Sequence, residues 1–124
     1  MGLDPMQFSE VSFSGAQGLP IDSYGPGFFR VRGKVIEGAV LVIPSGAKLW
    51  MGYGDTQPLL DARTQIDVAF IGTGRGAERV PASFRDPLVN AGLAIEPMPT
   101  PSACRTYNVL LGEGRRVGAA LLPV

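Results

Sequence analysis

The chain has 124 residues, 45% hydrophobic and 18% charged, which is enough for one domain with a genuine core and too apolar for intrinsic disorder. Eleven Lys and Arg balance eleven Asp and Glu, removing the bulk attraction on which nonspecific nucleic-acid binders depend, so no nucleic-acid partner is expected. With no histidine and one cysteine, imidazole acid–base chemistry, His-ligated metals and an internal disulfide are excluded.

Met1 to Glu10 carries two acids and no Lys or Arg, which fits neither a secretory leader nor an Arg-rich presequence, and a cytoplasmic product is expected. The longest apolar runs, residues 39–43 and 119–122, are about a quarter of the ~20 residues a membrane span requires, so no membrane insertion is expected. Residues 1–19 read as an N-terminal arm and 20–124 as a single α/β domain. Within the arm, Phe8, Val11 and Phe13 alternate with polar residues and can add a short edge strand. The loose, Gly- and Pro-rich character runs on to residue 25.

From Phe28 to Ile43 the chain is rich in β-branched and aromatic residues and broken by glycines, predicting two adjoining strands that part either at Gly33 or near Glu37-Gly38. Pro44-Ser45-Gly46 is a turn, and Lys48 to Met51 a further short strand. Pro58 to Asp61 reads as a helical turn inside a polar stretch. Ile66 to Ile71 is a near-continuous apolar run ending at Gly72-Thr73-Gly74-Arg75-Gly76, the pattern of a central strand buried on both faces that runs into a glycine-rich loop. A helix capped by Ser83 follows, with Pro87 tolerable only in its first turn and Gly92 at its end. Leu93 to Glu96 is the next strand. Thr100-Pro101 gives an N-cap hydroxyl with proline at the first helical position, and Ala103, Tyr107, Leu110 and Leu111 then fall on one helical face. Gly112 and Gly114 end this helix, and Val117 to Leu122 closes the chain as a strand. The fold class is therefore α/β: a three-layer single domain with a central mixed β-sheet, an N-terminal β-hairpin region and two main helices.

No catalytic set can be assembled, and no metal site or cofactor is expected. The residues with chemistry to offer lie at two places. Gly72, Thr73, Gly74 and Arg75 leave a buried strand at its carboxyl end, where backbone N–H groups and a guanidinium can hold an anion. The glycine spacing loosely matches a dinucleotide fingerprint, but Glu78-Arg79-Val80-Pro81 opens no helix toward a pyrophosphate, and a strand exit requiring positive φ is the plainer reading. Cys104, Arg105, Thr106 and Asn108 stand on the last helix. Beside Arg105 and near the helix start, Cys104 can be activated, although a small buried cysteine on the apolar face is the ordinary alternative. Asp67 within an apolar strand, Arg115 and Arg116, and the Trp50–Tyr53 pair are weaker candidates whose ordinary readings are ion pairing, solvated charge and core packing.

Ile21-Asp22-Ser23-Tyr24, Ile71-Gly72-Thr73-Gly74, Glu96-Pro97-Met98-Pro99-Thr100, Ala103-Cys104-Arg105-Thr106-Tyr107-Asn108 and Glu113-Gly114-Arg115 occur in an order that resembles the small single-domain family containing mitochondrial respiratory complex I assembly factor 3 and many uncharacterised bacterial and archaeal proteins. The resemblance covers residues 20–124. It implies a three-layer α/β fold and brings no catalytic residues with it. The expected function is a non-enzymatic protein-interaction domain that helps a membrane-associated respiratory complex to assemble, with membrane-complex subunits as partners. The competing expectation is a small-anion or metabolite-binding protein or enzyme using Gly72–Gly76 and the start of the last helix. A homodimer through an exposed strand edge is compatible with either.

Overall fold

The computed structural model describes residues 18–124; the Phe8, Val11 and Phe13 segment, and nearly all of the 1–19 arm, lie outside them. The elements in chain order are β1 (Ser23–Gly25), β2 (Phe28–Val31), β3 (Lys34–Glu37), β4 (Val40–Ile43), β5 (Gly46–Leu49), α1 (Gln57–Asp61), β6 (Val68–Thr73), α2 (Ala82–Asn90), β7 (Ala94–Met98), α3 (Thr100–Gly112) and β8 (Val117–Leu122). They form a three-stranded sheet, β1-β2-β3, and a five-stranded sheet ordered β5-β4-β8-β6-β7. In the larger sheet β6 runs parallel to β7 and β8, while β4 is antiparallel to β5 and β8, so it is mixed.

Both candidate breaks between residues 28 and 43 are used. Arg32 and Gly33 have φ of 53° and 76°, the left-handed pair that turns β2 tightly into β3. Gly38, with φ 92°, then carries the chain out of the small sheet and into the large one. The expectation of loose chain up to residue 25 is corrected: Ser23–Gly25 is paired to Phe28–Arg30 across the Pro26-Gly27 turn, and Ser23 and Tyr24 are buried.

The large sheet is covered on both sides, which gives three layers. Val40, Val42, Phe70, Val117, Ala119 and Leu121 share a core with α3 and with Tyr24, Phe29 and Val31 of the small sheet. Their neighbours Leu41, Ile43, Ala69, Ile71 and Ala120 pack instead with Leu59 of α1 and Phe84 and Leu88 of α2. This alternation is the period of two that a strand imposes on its side chains. Each fully buried Leu, Ile, Val or Phe contributes roughly 1.5–3 kcal/mol by leaving water. Trp50 belongs to the second core, donating through its indole N–H to the Asp55 carbonyl at 3.1 Å and meeting Tyr53 and Phe84 edge-on with ring centroids 5.7 Å away.

Two helix starts differ from the sequence reading. α2 begins at Ala82 after Pro81, whose carbonyl accepts from Phe84 and Arg85 N–H, and the Ser83 hydroxyl makes no cap. Pro87 therefore lies inside α2, on its exposed side, where water can take the carbonyl that its missing N–H leaves free. α3 starts at Thr100 with Pro99 as its N-cap, so the Thr100 hydroxyl is not a cap and is available for another task. Pro97 sits in β7 opposite Ile71, a position open to proline because β7 is an edge strand among the described residues.

Candidate functional site

The glycine-rich exit of β6 and the start of α3 are locked together. Thr100 N–H donates to the Gly74 carbonyl at 2.8 Å, and Gly74 N–H donates to Thr100 Oγ1 at 2.9 Å. The Thr100 hydroxyl in turn donates to the Leu122 carbonyl at 2.7 Å, tying the ends of β6 and β8 to one side chain that is 0% exposed. Thr73 shares its hydroxyl proton between the carbonyls of Gly76, at 2.6 Å, and Met98, at 3.2 Å. A Cβ on Gly72 would stand 2.6 Å from Thr100 Oγ1 and 2.9 Å from Leu121 Cδ2, so glycine here permits the helix to approach the strand. Gly74 has the anticipated positive φ, 93°. The Thr73 hydroxyl and the Gly74 N–H and carbonyl are thus bonded within the protein, while Arg75 and Gly76 are exposed beyond them.

The candidates on α3 divide by helical face. Cys104 is fully buried, and burial pushes its thiol up to about 12, outweighing the nearby Arg105 guanidinium, which acts in the lowering direction. Such a site is the reverse of the exposed, electropositive setting that makes a cysteine nucleophilic. Asn108 is also buried, and its amide clasps one residue. Oδ1 accepts from Ile21 N–H and Nδ2 donates to the Ile21 carbonyl, both at 2.8 Å. The adjacent Tyr107 donates its hydroxyl to the Leu19 carbonyl at 2.7 Å, and burial raises its phenol well above the usual value. Together these side chains fasten residues 19–21 along α3. Arg105 is exposed and Thr106 half-buried. Asp67 is exposed and pairs with Arg116 at 3.2 Å, a surface contact of small energetic weight. Among the described residues no group of three or more His, Cys, Asp or Glu could hold a metal, and no helix is long and apolar enough to cross a membrane.

A groove of about 570 Å³ runs between β3 and β5, one outer strand from each sheet among the described residues, with Leu19, Val31, Ile36 and Ala47 among its apolar lining. Arg32, Lys34 and Lys48 line it too, against a single acid among the described residues, Glu37. Val35 and Leu49 are 50% and 57% exposed beside them. The signal was present in the Lys48-Leu49 and Lys34-Val35 pairs, but strand patterning alone does not say that β3 and β5 belong to different sheets with a cleft between.

The family description "Protein of unknown function (DUF498/DUF598)" matches residues 21–122. The chain belongs to the DUF498/DUF598 family. Within it, an uncharacterised protein of Rhodobacter capsulatus is 47% identical over 115 residues, covering 93% of this chain and 91% of that protein. The human protein named NADH dehydrogenase [ubiquinone] 1 alpha subcomplex assembly factor 3 is 32% identical over 116 residues, 87% of this chain. This chain spans 62% of that human relative's length. Among solved structures, one described as an outer membrane protein from Bartonella henselae superposes with a TM-score of 0.79 at 37% identity, covering 88% of this chain and 98% of that one. The family thus unites assembly factors with uncharacterised proteins on the mixed α/β fold anticipated from the sequence.

Proposed function

We propose that this DUF498/DUF598 chain is a non-enzymatic protein-interaction domain that acts in assembling a membrane-associated respiratory complex, working from the cytoplasmic side without itself inserting. The observation that carries this reading is the 32% identity over 87% of the chain to a named assembly factor. It applies to the shared domain, because the human relative is longer. The reading is supported by what the polar side chains do: Thr73, Thr100, Tyr107 and Asn108 are engaged in joining strands, loops and helix. The competing anion or metabolite site at Gly72–Arg75 and Cys104–Asn108 would have to draw on the exposed Arg75 and Arg105 and is the less supported of the two.

The test is affinity purification of tagged protein from the membrane and soluble fractions of its own cells with mild cross-linking. Recovery of membrane-complex subunits in constant ratio is expected; repeated recovery of the chain alone from both fractions would refute the reading. A melting temperature that rises with added inorganic phosphate, and no longer does so in Arg75→Ala, would favour the anion site instead.

A further inference from the structure

We propose that the groove between β3 and β5 docks an extended segment of a protein partner, one with apolar side chains at alternate positions and carboxylates between them. This rests on the reading of the chain as an interaction domain and says where that interaction takes place.

The first support is backbone. Among the described strands, β3 has a neighbour only in β2 and β5 only in β4, and residues of both strands line the same groove. An outer strand edge presents N–H and C=O groups that an added strand can pair with, the mode in which many domains capture extended peptides. Each strand is four residues long, which sets the length of the pairing.

The second is the apolar surface. Ala47 and Leu49 pair across from Val42 and Val40, so they point to the α3 side of the large sheet, toward the small sheet. Ile36 stands opposite Phe29 and faces the same space from the other wall. Alternate side chains of an added strand therefore meet apolar partners, and Val35 and Leu49 are large apolar residues left half in water.

The third is charge. The chain has a formal net charge of zero, yet among the described residues Arg32, Lys34 and Lys48 gather at this groove with Glu37 as the one acid. A lysine on an edge strand also guards against indiscriminate pairing. Here the cations stand next to exposed apolar residues, which admits a segment carrying carboxylates and disfavours a neutral or basic one.

The probe is a dye-labelled peptide, acetyl-Thr-Val-Glu-Val-Glu-Val-Thr-amide, titrated against the full chain by fluorescence anisotropy, with amide chemical shifts followed in parallel. Saturable binding is expected, with shifts concentrated at residues 34–37 and 46–49. Replacing the peptide's glutamates by lysines, or making the Lys34→Glu/Lys48→Glu variant, is expected to weaken binding at least about tenfold. These exposed substitutions should leave the melting temperature unchanged, and Ala47→Asp supplies a second variant that blocks the lining without touching the lysines. No saturation by about 1 mM peptide, shifts centred elsewhere, or indifference to charge reversal would overturn the proposal. So would displacement of the probe by a peptide of residues 1–17, or dimerisation of the chain that the probe abolishes, each of which gives the groove a different occupant. Membrane-complex subunits recovered equally with wild type and the charge-reversed variant would overturn the groove and leave the interaction reading standing. Loss from both would overturn the interaction reading, whatever the peptide does.

Discussion

Gly72→Ala probes the junction on which the layers depend. The new Cβ would lie 2.6 Å from Thr100 Oγ1, whereas ordinary contact begins near 3.4 Å, a shortfall of 0.8 Å (3.4 − 2.6). Thr100 cannot easily yield, because its hydroxyl bonds both Gly74 N–H and the Leu122 carbonyl and its Cα is itself 3.1 Å from the new atom. Overpacking of this kind costs roughly 1–3 kcal/mol. The lower entropy of an unfolded chain carrying alanine offsets about 0.4–1 kcal/mol of that. A net loss of about 1–2 kcal/mol is therefore expected in urea unfolding followed by circular dichroism, with the midpoint lowered and the slope unchanged. The double variant Gly72→Ala/Thr100→Ala should lose less than the two single losses added together, by at least about 0.5 kcal/mol, because removing Oγ1 makes room for the Cβ. A Gly72→Ala protein as stable as wild type, or strict additivity in the double variant, would refute the argument that close approach requires this glycine.

Asn108→Ala removes the side-chain partner of both Ile21 backbone groups; at roughly 1–3 kcal/mol for each buried orphan, a loss of about 2–6 kcal/mol is expected, and amide hydrogen exchange at Ile21 should accelerate in step. Cys104 has an ordinary value of 9.0 and is pushed up to about 12 by burial, so the folded state holds its proton while the unfolded state releases it. Its stabilisation is complete below pH 9 and declines as pH rises toward 12, at up to ~1.4 kcal/mol per pH unit; Cys104→Ala should flatten that part of the stability profile, and iodoacetamide should label native Cys104 no faster than the protein unfolds. Arg32 adopts φ 53° at the β2–β3 turn, so Arg32→Asn is expected to raise stability by about 0.5–1 kcal/mol, read as a higher melting temperature.

The sheet and helix order of the second half was legible because its signals are local. Val68 to Ile71 and Val117 to Leu122 carry no charged or strongly polar residue, as strands buried on both faces require, and the glycines that stop α3 lie in sequence where the helix ends. The first half was harder. Ser23–Gly25 carries no alternation of its own, and its burial comes from the Phe28–Arg30 strand folded onto it. The division of residues 28–43 into three strands across two sheets follows from Gly38, whose positive φ cannot be read from one glycine among several. Thr100 looked like a cap because Thr-Pro usually is one; Pro99 took that role once the hydroxyl was engaged with Gly74 and Leu122.

The polar residues singled out in the sequence and the groove between β3 and β5 are in different places. A buried polar side chain on an apolar helical face, such as Asn108, can serve a ligand or serve the backbone of another segment, and the two uses leave the same trace in a sequence. In this chain the partner is internal: Asn108 bonds the N–H and C=O of Ile21, and Tyr107 the C=O of Leu19. Edge strands show the opposite case. The N–H and C=O groups of an outer edge leave no trace at all in the sequence, because every residue has a C=O and every residue except proline an N–H, and only the strand order reveals that β3 and β5 have one neighbour each among the described strands. For a domain without histidine or an evident nucleophile, recognition through such edges requires no reactive residue, so mutagenesis aimed at Lys34, Leu49 and Lys48 is more informative about function than mutagenesis aimed at Cys104 or Asn108, whose loss would disturb the fold and any activity together.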